Sequence, residues 1–157
     1  MKKLVMLCLG LIPIVAQATL GESANSVNSD NKALASSVSL IVDKSINTTK
    51  SDGQNQVTYN ISTIRTPEGI TINEYVANGK VFAISWSGIR NPDLQQLMGQ
   101  YFPQYKSAKR TQYGLSGAET STGDLVVSTF GVIGDFHGLA YISSLVPDGL
   151  NPRDLSK

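Results

Sequence analysis

The stretch QVTYNISTIRTPEGITINEYVANGKVFAISWSG, residues 56–88, decides the fold. Val57, Tyr59, Ile61 and Thr63 alternate with polar residues, as the side chains of a half-buried strand do. Pro67-Glu68-Gly69 turns the chain, and Ile70, Ile72 and Val76 then alternate with Thr71, Asn73 and Tyr75. Asn78-Gly79 has the chemistry of a two-residue type I′ hairpin, whose turn positions both need positive φ. A third run sets Phe82, Ile84 and Trp86 on one face and Val81, Ala83 and Ser85 on the other. The stretch is predicted to be a three-stranded antiparallel meander.

Toward the C-terminus, Asn91-Pro92-Asp93 opens a helix. Asn caps it, Pro suits the first turn and Asp complements the positive end of the dipole. Leu94, Leu97, Met98, Tyr101, Phe102 and Tyr105 recur at steps of three and four, one apolar stripe to lay across the meander. Pro103 should end or kink the helix near Phe102. Residues 106–123 are polar and rich in small side chains, and are predicted to be a flexible segment. Two more strands, 125–130 and 138–143, flank a Gly-rich turn.

Toward the N-terminus, residues 44–56 carry Asp52-Gly53 and read as a second flexible loop. Residues 25–40 fit either a short helix capped by Ser26 or the lead-in to a strand from Val38. The predicted class is α+β: an antiparallel β-meander of about five strands packed by one amphipathic helix, with this short N-terminal helix as an option.

The first eighteen residues read differently. Lys2 and Lys3, an apolar run over 4–15 and Ala16-Gln17-Ala18 arrive in the order of a secretory signal, with cleavage between Ala18 and Thr19. The run is far short of the ~20 apolar residues a spanning helix needs, and it contains Gly10 and Pro13. Export to the periplasm or medium is expected, leaving residues 19–157 as one domain. Cys8, the only cysteine, would leave with the signal, so thiol catalysis, disulfides and cysteine-bound metal are not expected of the mature chain.

Lys and Arg number 13 against 12 Asp and Glu, and loss of Lys2 and Lys3 tips the balance to one excess acid. So even a balance gives no electrostatic ground for a nucleic-acid partner. No stable membrane span is expected after cleavage.

Several features occur together: Leu20-Gly21, Asn73-Glu74-Tyr75-Val76, the run from Gly79 through Trp86 to Gly88, and Pro92-Asp93-Leu94. Gly99, Tyr101-Phe102 and Tyr105 follow, then Asp124-Leu125-Val126-Val127, Phe136, Gly138, Ala140, Leu145-Val146-Pro147 and Gly149. Together they resemble an exported proteobacterial family known only as a domain of unknown function. The resemblance implies export and a single domain. It brings no activity, cofactor or catalytic residue, and His137 stands where the family pattern is variable and often basic.

The chemistry-bearing candidates are few. His137, the sole histidine, lies two residues from Asp135, a spacing that shares a strand face and can orient a general base. No G-x-S-x-G elbow accompanies it, and one histidine without cysteine leaves few zinc ligands. No cofactor or metal is expected. Glu74 with Glu119 or Asp124 is the remaining carboxylate pairing for glycoside chemistry. Lys106, Lys109 and Arg110 form a basic cluster that reads first as a solvated helix end.

The strongest binding hint is aromatic: Tyr75, Trp86, Tyr101 and Tyr105, of which Tyr75 and Tyr105 are expected to reach solvent, against the competing reading of a helix–sheet seam. Three functions compete. The preferred one is a non-enzymatic binding or accessory protein of the cell envelope, with an envelope protein or small ligand as partner. A carrier enclosing a lipid or sugar between helix and sheet comes next. An extracytoplasmic hydrolase using His137 with Asp135 is third.

Overall fold

The structure, a computed structural model, describes residues 20–23, 44–49 and 56–156. The expected signal, with Ala18 and Thr19, and the element expected over 25–40 lie outside the described residues. The chain forms β1 (Lys44–Thr49), β2 (Gln56–Arg65), β3 (Ile70–Ala77) and β4 (Lys80–Gly88). A helical segment follows as α1 (Leu94–Met98), a 3₁₀ turn (Gly99–Tyr101) and α2 (Phe102–Ser107). Then come β5 (Arg110–Tyr113), β6 (Gly117–Thr122), β7 (Leu125–Val132) and β8 (Asp135–Ile142), with 3₁₀ turns at Ser143–Leu145 and Pro152–Ser156.

All strands join one antiparallel sheet in the order β1-β2-β3-β4-β8-β7-β6-β5. The class is α+β. The sheet is larger than the five strands expected, because both segments read as flexible contain strands. Residues 106–123 hold β5 and β6, whose side chains are too polar to show an apolar alternation. What holds them is the backbone ladder, with Arg110 opposite Thr120 and Thr120 opposite Val127. Residues 44–56 hold β1, paired to β2 through its backbone.

The two meanders, β1–β4 and β5–β8, meet along the β4–β8 ladder, where Trp86 stands opposite Gly138. The hairpin at Asn78-Gly79 forms as expected, with φ of 52° and 74°. Beside it the register shifts: Tyr75 pairs with Ala83 but Val76 with Val81, so Phe82 is an extra residue on β4. The bulge turns Phe82 to the face of Ala83 and away from Ile84 and Trp86, correcting the simple alternation. Residues 81–86 are all buried, because both faces of the sheet are covered there.

One face lies under the helical segment. Leu97, Met98 and Tyr105 pack on Ile72, Ile84 and Trp86, the stripe-on-meander arrangement the sequence implied. The cap is Asp93, whose carboxylate accepts from the amides of Gln95 at 2.9 Å and Gln96 at 3.2 Å, so the cap lies two residues after the expected Asn91. The kink comes at the 3₁₀ turn rather than at Pro103, which sits in the first turn of α2, where a missing amide hydrogen costs nothing. The other face carries Tyr59, Tyr75, Phe82 and Leu139 under the C-terminal turn that brings in Leu155. We call these the helix face and the clasp face.

Candidate functional site

The clasp packs on β8 and β4 and leaves the β7 side of its face open. Ser128 and Phe130 project from β7, and His137 and Leu139 from β8, on this same face. The register sets Ser128 opposite Leu139 and Phe130 opposite His137, a two-by-two block. Arg153, from the C-terminal turn, comes in beside it. Together they line an open groove of about 510 Å³. That volume is within the range of small-molecule sites. The two other recesses described, at Arg90 beside Asn91 and at Lys80 beside Pro147, are each about 260 Å³.

Polar contacts shape the groove's edge. Ser128 donates its hydroxyl to Oε2 of Glu119 at 3.0 Å, and Arg153 lies 3.5 Å from that same oxygen. The Arg153 side chain is 73 % exposed, so solvent screens this pair. Burial raises the Tyr141 hydroxyl above its ordinary pKa, helped by the Glu119 charge and countered by Arg153. Nε2 of His137 is 2.7 Å from Oδ1 of Asp135, a distance at which the ring N–H donates to the carboxylate.

The groove therefore offers an apolar patch (Phe130, Leu139), a hydrogen-bonding imidazole and a guanidinium. It suits a small molecule with an apolar body and an acidic group. Nucleophilic catalysis is poorly served, because the Ser128 hydroxyl is directed to Glu119 rather than to the imidazole. Among the described residues no group of three or more His, Cys, Asp or Glu is placed to hold a metal.

The aromatic residues singled out in the sequence do not share a surface. Tyr75 is 4 % exposed, on the clasp face against Tyr59 and Phe82, and Tyr105 is 7 % exposed, on the helix face. Both were expected to reach solvent, and both are core. Trp86 is buried on the helix face and donates Nε1–H to Asn91 Oδ1 at 3.1 Å. Tyr101 is half-buried, its ring packed close to Gly21. These side chains form the seam of helix and sheet, with Tyr75 on the opposite side. Between helix and sheet, Leu97 and Met98 are buried in the core.

The carboxylate pairing also dissolves. Glu74 is fully buried on β3 opposite Ile84, whereas Glu119 is on β6, with three strands between, and Asp124 is in the turn joining β6 to β7. The basic cluster is engaged locally: Lys106 lies over the Phe102 ring at 5.8 Å, and Arg110 over Tyr105 at 5.4 Å while donating to its hydroxyl. Ser128, Phe130, Leu139 and Arg153 went unmarked in the sequence. The alternation Ser128, Phe130 beside the Asp135, His137 pair was a usable signal for three of the four walls, but Arg153 arrives from a tail that carries no pattern.

No helix among the described residues is long and apolar enough to cross a membrane. No curated protein and no solved structure matches the chain. A family model does, over residues 16–155, and the chain belongs to that family, described as a protein of unknown function (DUF2844).

Proposed function

We propose that this chain is exported and acts in the periplasm or outside the cell as a non-enzymatic binding protein, with the clasp-face groove as its site. The groove carries the reading: apolar Phe130 and Leu139, hydrogen-bonding His137 and cationic Arg153 converge on one open recess of about 510 Å³. A small acidic molecule with an apolar body is the ligand this lining favours, its acid toward Arg153 and its body on Phe130. The export half rests on Lys2, Lys3, the apolar run and Ala16-Gln17-Ala18. Native mass spectrometry of the protein purified from its own envelope tests both halves. A chain beginning at Thr19 and carrying a small-molecule adduct is expected. Phe130→Ser, half-exposed and so tolerated by the fold, should lose the adduct. An intact 157-residue chain inside the cell defeats the export half, and an adduct that survives Phe130→Ser defeats the groove.

A second reading rests on one contact, the 2.7 Å pairing of His137 with Asp135 at the groove wall. It orients the ring as a general base for a hydrolase. Hydrolytic turnover unchanged by His137→Ala would dispose of it.

A further inference from the structure

Leu115 and Ile133 are 109 % and 101 % exposed, which places them among the least protected side chains of the molecule. Each is at the tip of a hairpin, Leu115 between β5 and β6 and Ile133 between β7 and β8. The two tips are neighbours: Gly117 pairs with Phe130, and the amide of Gly131 donates to the carbonyl of Ser116 at 2.9 Å. Tyr113 and Val132, 59 % and 52 % exposed, flank them. Ile89, 62 % exposed, follows β4 at the same end of the sheet, where Gly88 pairs with Phe136.

Charge is distributed in a matching way. Residues 111–118 and 125–134 contain no Asp, Glu, Lys, Arg or His. The charged groups that border the tips are Arg110 at the start of β5, Asp135, which follows Gly134, pairs with Val132 and is engaged by His137, and Arg90, which follows Ile89 and pairs with Glu68.

From this arrangement we infer that the paired hairpin tips are a docking edge for a lipid bilayer surface, inserting Leu115 and Ile133 below the headgroups. A hydrocarbon layer excludes charge, and these tips are the charge-free part of this end of the sheet. The shape argues likewise. A protein partner must supply a concave socket for each convex tip, whereas a fluid interface deforms around both. Tyr113, apolar in its ring and polar at its hydroxyl, stands beside the tips at the level that headgroups would occupy. Exposed apolar side chains grouped in this way mark interaction sites. The inference is independent of the groove.

Flotation of the purified protein with vesicles of phosphatidylethanolamine and phosphatidylglycerol tests it. Wild type should float equally at low and high salt, because the inserted residues carry no charge. Leu115→Ser combined with Ile133→Ser should lower the bound fraction about tenfold with an unchanged melting temperature, since two exposed aliphatic side chains supply the insertion. The inference is overturned by absence of flotation, by flotation that high salt abolishes, or by flotation indifferent to the double substitution. A dimer that the double substitution dissolves, without vesicle binding, would assign the tips to a second copy and overturn it too.

Discussion

The helix face and the clasp face are built by the same strands, yet they are closed in different ways. On the helix face the segment from Leu94 to Ser107 lays Leu97, Met98 and Tyr105 on the sheet, each no more than 7 % exposed. On the clasp face a five-residue 3₁₀ turn, Pro152–Ser156, pins Leu155 over β4 and β8 and leaves Phe130 at 51 % exposure. A long amphipathic segment can close a whole core. A short terminal turn closes only part of one, and the uncovered remainder becomes the groove. The more completely closed core thus lies on one side of the sheet, and the proposed binding groove on the other.

The sharpest way to break this comparison is to shorten one leucine on each face. Leu97→Ala removes a side chain that is 1 % exposed at the centre of the helix face, and should cost about 2–5 kcal/mol. Leu155→Ala acts on a terminal turn that can lift away, and should cost only about 1–2 kcal/mol. Chemical denaturation of both variants measures the difference. Equal losses would mean that the C-terminal turn is as integral to the fold as the helix.

The next largest effect comes from enlarging rather than shortening. A Cβ added at Gly138 would meet Trp86 Cζ2 at 2.0 Å and Cε2 at 2.2 Å. Trp86 is 2 % exposed under the helical segment and has nowhere to retreat. Gly138→Ala should therefore destabilise by about 1–3 kcal/mol through overpacking, with a shift in Trp86 fluorescence as the ring is displaced. A variant that melts like wild type would show slack on the helix face and blunt the contrast between the two sides.

The sequence was most legible where local pattern and turn chemistry agreed. Asn78-Gly79, flanked by alternating β-branched and aromatic residues, could hardly encode anything but a hairpin, and the stripe from Leu94 to Tyr105 could hardly lie anywhere but on the sheet. Elsewhere the signal failed for identifiable reasons. In β6 Thr120 alone is buried, and β5 is exposed throughout, so their pairing is written in backbone hydrogen bonds that composition does not report. Val81 to Trp86 are buried on both sides, which erases the parity that would have revealed the bulge at Phe82. The candidate site was half legible: Asp135 and His137 are neighbours in the chain. Its other walls depend on which strand β8 joins and where the tail lands, and both are long-range outcomes.

Tyr75 sharpens the comparison last, because it fastens the clasp to the sheet. Its hydroxyl donates to the carbonyl of Leu155 at 2.8 Å and lies 3.1 Å from Ser85 Oγ, deep in the clasp face. Tyr75→Phe keeps the ring and strands these partners, at a cost of about 1–2 kcal/mol near neutral pH. Burial raises the Tyr75 pKa above 10.0, with the hydrogen bonds from Ser85 and Asn73 opposing and Tyr59 reinforcing the shift. Between the unfolded value and the raised folded value the native state binds more protons than the unfolded state, so stability falls as pH climbs through that window. Below pH 10.0 the penalty is absent. The phenylalanine variant lacks this proton, so its deficit against wild type should narrow above pH 10.0, while Tyr141, shifted in the same direction, keeps a residual slope in both proteins. A deficit that stays constant across that window would mean Tyr75 ionises as easily folded as unfolded, and that the clasp opens around it before the domain unfolds.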